Sequence, residues 1–382
     1  MGRLATTALC VALVALCASS TWARRADGGR AWVVLEDSVD AVQEAIDQGL
    51  KFGVTELQLS HNIIMDIDDV FDEARAARIN TYIDMAHAAN MTAVVWTHEF
   101  NAVGGVRVCF EPSDPVWESR REAYRRGLAA IPEVDGVVLM FGSSSLEPWY
   151  AMCTCDYCTS NTTVPSPLRP LLIPSPPERV EMLVRLVHDV VTVEHGLKVI
   201  VRMFTHRPVE IEYLHDAFMR MQDIDDLIVM SKDVPQDFEP YYPRDPLVGA
   251  FPWLAHIVEA DAAGEYWGRS VLPFAAPAYW ERRMQEFPVQ LDGYAARVSR
   301  DSDRAIGTPN EVNLLSLQRI FENSSAIAED IMQEFVATHY GAASPSAQNS
   351  IARALAMTQD IGRKMYYFLG AFSMFSHPFF LF

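Results

Sequence analysis

No glycine-rich phosphate loop follows the first apolar run of this 382-residue sequence, Ala31-Trp32-Val33-Val34-Leu35. That absence counts against a doubly wound nucleotide-binding fold. Basic residues are scarce too: 31 Lys and Arg stand against 50 Asp and Glu, for a net charge of −19. Nucleic acid and anionic membrane surfaces are bound through clustered Lys and Arg, so neither is an expected partner. Long uninterrupted apolar runs are missing as well. The N-terminal one, Leu4 to Ala18, is short for a membrane span, and the C-terminal one, Met365 to Phe382, is broken by His377 and Pro378; a span needs about 20 apolar residues. Cysteines number six, two of which, Cys10 and Cys17, sit in the N-terminal apolar segment.

What is present at the N-terminus reads as a secretory signal over residues 1–23, with an uncleaved anchor as the alternative. Arg3 supplies the positive end, Leu4 to Ala18 the apolar stretch, and Ala18 or Ala23 a small residue for cleavage. A secreted protein is the expectation, and three glycosylation sequons, at Asn90, Asn161 and Asn323, fit it. Cys109, Cys153, Cys155 and Cys158 remain after cleavage. In an oxidising compartment they form disulfides that staple a long loop, or they hold a closed, structural zinc. Neither reading makes them catalytic, and no cofactor or catalytic metal is expected. The charge-free tail reads either as membrane-associated or as a core face without its partner; no stable membrane partner is expected. Oligomeric state is left open.

Eight apolar runs alternate with helical patterns: Ala31 to Leu35, Val54 to Leu59, Met91 to Trp96, Val134 to Phe141, Leu197 to Phe204, Asp226 to Met230, His256 to Ala260 and Gly293 to Val298. Ser38 is placed to cap the first helix. Such alternation predicts a parallel sheet and, with no phosphate loop, a (β/α)₈ TIM barrel over residues 31–305. Residues 309–382 read as a C-terminal helical region.

Functional side chains of such barrels lie just past the C-terminal ends of the strands. These positions hold His98 and Glu99 after the third strand and Glu147 with Trp149 after the fourth. Arg202 follows on the fifth, Lys232 and Asp237 on the sixth, Glu265 and Trp267 after the seventh and Arg300 after the eighth. Glu265 lies in Gly264-Glu265-Tyr266-Trp267-Gly268, where burial against rings and backbone raises a carboxyl toward general-base range. Carboxylates among aromatic platforms suit a carbohydrate, and paired carboxylates are the usual equipment for cleaving glycosidic bonds.

Two of these loops resemble those of the α-glucuronidases of glycoside hydrolase family 67. Leu227 to Pro240 is similar to the family's strand-six segment, a Lys followed by a G-P-x-D-F-Q loop, and Gly264 to Gly268 is similar to its Q-E-Y-x-G loop. The stretch from Asn313 to Ile320 resembles the family's helix entry after the barrel, so the likeness covers about Val134 to Tyr340. The resemblance implies that Asp237 and Glu265 activate water on the base side of an inverting hydrolysis, and that Arg202 and Lys232 hold a uronic carboxylate. His98, Trp149 and Trp267 are the further candidates for contact with the sugar. Two departures stand out after strand four: Met140 replaces a Lys that contacts the uronate, and Ser144 stands where the family has its general acid. Glu147, in an apolar setting beside Leu146, Pro148 and Trp149, is the substitute acid, with Glu99 the second choice. Relative to the family, an N-terminal domain is absent and the C-terminal region is cut short.

The leading expectation is therefore a secreted glycoside hydrolase, α-glucuronidase-like, acting on a uronate-containing glycan with inversion. The alternative is a catalytically impaired barrel that binds acidic glycans. A third is a retaining, hexosaminidase-like enzyme; carboxyl separation distinguishes it, at about 5–5.5 Å for retention and about 6.5–9.5 Å for inversion.

Overall fold

The computed structural model describes residues 29–99, 113, 115–141, 175–205, 208–235, 238, 242–265, 273–300, 303–368, 371 and 372. Eight parallel strands close into a barrel in chain order: β1 (Gly29–Val34), β2 (Glu56–Leu59), β3 (Thr92–Glu99), β4 (Gly136–Phe141), β5 (Lys198–Met203), β6 (Ile228–Lys232), β7 (Ala255–Asp261) and β8 (Gly293–Arg297). Closure comes from β8 pairing with β1, Gly293 opposite Gly29 and Arg297 opposite Val33. With helices between successive strands, save between β6 and β7, where the described residues hold none, this is the (β/α)₈ barrel that the alternating pattern predicts.

The strands read as continuous apolar runs because both of their faces are covered. Alternation sorts each run into two cores. Val33, Val94, Trp96, Val138, Ile200, Met230 and Ile257 pack together inside the barrel. Their neighbours Val34, Val95, Val137, Val201, Val229 and Val258 join the larger core beneath the helices. At Gly136 the backbones come so close that an added Cβ would lie 2.6 Å from the carbonyl oxygen of Lys198, which only glycine avoids.

The helices follow local signals. Ser38 caps α1 (Val39–Lys51) by accepting from the Ala41 N–H at 3.1 Å, and Val42, Ala45 and Ile46 form its buried stripe. The next helical stretch comes in two pieces. Asp66 caps a 3₁₀ turn, Ile67–Phe71, and Asp72 caps α2 (Glu73–Ala88). Two successive aspartate caps thus start two helices in close sequence. α3 (Pro115–Ala130), α4 (Pro176–His188), α5 (Pro208–Met219) and α6 (Pro277–Glu286) complete the described surround, α4 ending in a π turn, Asp189–Glu194.

After the barrel come α7 (Glu311–Glu322), α8 (Ala328–His339) and α9 (Pro345–Tyr366). Among the described residues no helix is long and apolar enough to cross a membrane. Asn90 and Asn323 are exposed, while Asn161 lies outside the described residues.

Candidate functional site

The inner face of the barrel changes from apolar to charged toward the C-terminal ends of the strands. On β7, Ile257 is followed in the same phase by Glu259 and Asp261; on β6, Met230 by Lys232; on β5, Ile200 by Arg202; on β8, Ala295 by Arg297. All five charged residues are buried. They avoid the cost of isolated buried charge by pairing. The Arg202 guanidinium grips Glu259 with two hydrogen bonds, 2.6 and 3.0 Å, and donates to the Met140 sulfur at 3.1 Å. Arg297 reaches Glu259 at 3.6 Å and Glu265 at 2.6 Å. Burial alone would raise the Glu259 carboxyl; Arg202, Arg297 and Lys232 outweigh it and hold the carboxyl below its ordinary range.

Aromatic faces line the same space. Arg202 lies 4.9 Å from the Trp96 ring centre, and the Lys232 ammonium stands 4.1 Å from each of Phe204 and Phe238. Trp96 is itself fixed, its indole N–H donating to Gln58 at 3.2 Å. Gln58 donates to Glu56 at 3.0 Å, and Glu56 pairs with Lys198 near the opposite rim.

Glu265 sits on a built turn. Asp261, the last residue of β7, accepts the backbone N–H of Gly264 at 3.0 Å and of Glu265 at 2.6 Å. Gly264 has φ +81°, a conformation glycine adopts without strain. The helical region holds the turn from outside. Asn310 donates to the Ala263 carbonyl at 2.7 Å and accepts from the Phe274 N–H at 2.6 Å. Asn313 donates to the carbonyls of Ala262 and Phe274 and accepts from Ala276. From α9, Thr358 accepts from Ala275 at 3.0 Å. The Glu265 carboxylate then meets two guanidiniums, Arg297 and, at 3.0 Å, the partly exposed Arg300. Burial and the neighbouring Glu265 push Asp261 up to about 7.

On the β2–β3 side, His98 points inward with Trp96. Its Nδ1 lies 2.8 Å from the Met65 carbonyl. Burial, with Arg202 and Arg297 adding to it, brings His98 down to about 4 against the contrary pull of that carbonyl.

Of the residues singled out from sequence, Glu265, Arg202, Lys232, His98 and Arg300 thus gather at one mouth. Glu99 does not. β3 continues past Trp96 to Glu99, so Glu99 follows the phase of Val95 and Thr97 and leaves the barrel on its outer side. There it accepts from Arg120 at 2.6 Å and Tyr124 at 2.7 Å, both on α3, and from Thr97 at 3.0 Å. That placement corrects its reading as a substitute acid: a carboxyl behind the sheet does not reach a sugar in the mouth. Arg202 also differs from expectation, since its guanidinium is committed to Glu259 rather than turned to a ligand. Asp237, Glu147, Trp149, Trp267 and the cysteines Cys109, Cys153, Cys155 and Cys158 lie outside the described residues. Among the described residues no group of three or more His, Cys, Asp or Glu could hold a metal ion.

Sequence reasoning passed over Glu259, Asp261, Arg297 and His61. The first three were hidden inside apolar strands, yet their two-residue spacing from Ile257 and Ala295 is the signal that marks them as inward. His61 directly follows Ser60 at the end of β2, the same kind of position that identifies the others.

No protein-family model matches the chain, and no curated protein matches it in sequence. The fold is similar to that of an O-GlcNAc hydrolase of Thermobaculum terrenum, at 10% identity and a TM-score of 0.52, over 81% of this chain and 62% of that one. It is similar also to a broad-specificity GH5-4 endoglucanase from an uncultured bacterium, at 12% identity and a TM-score of 0.50, over 78% of this chain and 95% of that one. The chain spans only 62% of the length of the first of these hydrolases. At such identities the likeness is one of fold: this chain shares the (β/α)₈ barrel of these two hydrolases.

Proposed function

We propose that the protein is a glycoside hydrolase of α-glucuronidase type, secreted, cleaving a uronate-containing glycan with inversion. The observation that carries this reading is the placement of Glu265. It stands past the end of β7, on a turn fixed by Asp261, Asn310 and Asn313, and is aimed by Arg297 and Arg300. A base that activates water has to be held in position before the substrate arrives, and these contacts do that. Asp237 is its partner in the proposed base pair. Lys232 and Arg300 are the cations proposed to meet the uronate, with Arg202 behind them fixing Glu259 and Trp96. Glu147 is the proposed acid, with Trp149 and Trp267 as sugar platforms.

A second reading is a barrel that binds acidic glycans without cleaving them. Met140 favours it: in place of the family's Lys, its sulfur accepts from Arg202 and puts no charge toward a uronate. Ser144 in the acid position favours it too.

The test is to incubate the purified protein with uronosyl oligosaccharides and aryl uronosides and follow the released anomer by proton NMR. Release of uronic acid with inverted configuration is expected, with Glu265→Gln losing about 10²–10⁴-fold on both substrates. Glu147→Gln is expected to lose natural linkages while keeping most aryl turnover, because a good leaving group needs little acid help. Saturable binding with no turnover would establish the second reading; absence of both binding and turnover would dispose of both.

A further inference from the structure

The β2–β3 side of the mouth carries His61, which the sequence reading passed over, beside His98, named there only as a candidate for contact with the sugar. His61 has φ 52°, a left-handed conformation rare for any residue with a β-carbon, though His tolerates it better than most. Such strain persists where the surroundings fix a side chain's direction, and it gathers at ligand sites. The His61 ring meets the His98 ring edge-on, 5.4 Å between centres and 81° between planes, and lies 5.9 Å from the Trp96 ring. Arg297, Arg300 and Arg202 all act on its charge, which places it within reach of the cationic side of the same mouth.

Each ring has one nitrogen engaged. Nδ1 of His61 lies 2.7 Å from the Ser60 hydroxyl, and Nδ1 of His98 lies 2.8 Å from the Met65 carbonyl. A carbonyl only accepts, so in His98 the proton sits on Nδ1 and Nε2 keeps a lone pair. Among the described residues no hydrogen bond reaches Nε2 of either ring. Burial above all, and then the nearby cationic groups, keep both imidazoles well below their ordinary range, so neither is charged at neutral pH. An uncharged nitrogen lone pair repels a carboxylate and suits an O–H donor.

We propose that His61 and His98 form a hydroxyl-binding subsite, their Nε2 atoms pairing with hydroxyls of the sugar ring whose acidic end lies against Lys232 and Arg300. The inference rests on the glycan reading above and adds to it a division of labour: charge is recognised from β6 to β8, hydroxyls from β2 and β3. A ligand that is acidic but lacks hydroxyls satisfies only half of the mouth.

The test measures binding of methyl α-D-glucuronoside and its ring-deoxy analogues by calorimetry, on the unmodified full chain, His61→Asn and His98→Gln. Asn tolerates the left-handed backbone at position 61 and so guards against a mere folding defect. Loss of one hydrogen bond is expected to weaken the parent ligand about 3–10-fold. One deoxy analogue should bind the unmodified protein equally weakly and lose nothing further in the variant, since the same bond cannot be removed twice. Additive losses, or variants that bind the parent unchanged, would overturn the subsite while leaving the uronate reading intact. Failure of the unmodified protein to bind the parent would overturn both. Nitrogen-15 NMR of the histidines gives a readout independent of any ligand. Both rings should stay uncharged through about pH 5–8, where an ordinary histidine titrates; titration of either within that window would overturn the proposal.

Discussion

Arg120 and Arg202 are both buried guanidiniums gripped by carboxylates, one behind the sheet and one inside the barrel. Arg120 meets three acids: Glu99 at 2.6 Å, Asp66 at 2.8 Å and Asp68 at 2.9 Å. One cation among three carboxylates leaves the acids crowded. Burial and then the charge of Glu99 raise Asp66, and Glu99 Oε2 has no hydrogen bond among the described residues. Inside, several cations share one acid: Arg202, Arg297 and Lys232 all bear on Glu259, whose carboxyl is held low. The outer cluster joins α3 and the 3₁₀ turn to β3, with Glu99 buried and Asp66 and Asp68 partly exposed at its edge. The inner one lines the mouth, where Arg202 and Arg297 are held by Glu259 and Glu265 at the strand ends. Similar side chains and similar burial therefore serve a scaffold on one face of the sheet and a candidate site on the other.

Substitutions can break or sharpen that contrast. The largest effect is expected from Glu259→Gln, which leaves two buried guanidiniums without their shared carboxylate; about 3–5 kcal/mol of stability should be lost in denaturant titration. Glu99→Gln should cost less, about 1–3 kcal/mol, because Arg120 keeps two acids and the amide still accepts from Tyr124. Its turnover or glycan binding should not change; a large loss there would place Glu99 in the mouth after all. Gly264→Ala should destabilise by about 1–2 kcal/mol through the left-handed backbone and lower any activity by displacing Glu265. The smallest expected effect is the pH dependence set by Asp261. Its folded value of about 7 lies above the unfolded one of about 3.9, so the folded protein holds the extra proton. Stability relative to Asp261→Asn should therefore rise as pH falls, by about 1 kcal/mol from pH 7 to 6, and be lost above pH 7. A flat difference between the two proteins over that range would refute it.

The barrel was legible because its strands announce themselves twice, by β-branched runs and by regular helical spacing between them. What sequence patterns blurred was direction. His98 and Glu99 are neighbours at the end of one strand and read as one group, yet alternation sends the first inward and the second out. The error began with the strand's length: an end at Trp96 treats both as loop residues free to turn, whereas a strand continuing to Glu99 fixes their sides. Glu259 and Arg297 were overlooked for the opposite reason, as charges within apolar runs, although their phase with Ile257 and Ala295 is visible in the sequence. Asn313 was noticed only as part of a resemblance; its work, hydrogen-bonding the backbone around the Glu265 turn, depends on a contact across 51 residues of chain that no local pattern encodes.

The pairing of β1 with β8 bears on how the molecule is made. Gly29 lies opposite Gly293, so during synthesis β1 can pair with β2 early but waits for its other neighbour until nearly the whole barrel has emerged. At about 5–20 residues per second that interval is tens of seconds. Through it, the Trp32-to-Val34 edge presents unpaired backbone groups and β-branched side chains to whatever is nearby. The β1 edge of the nascent chain thus stays open to misassociation until Gly293–Arg297 arrives.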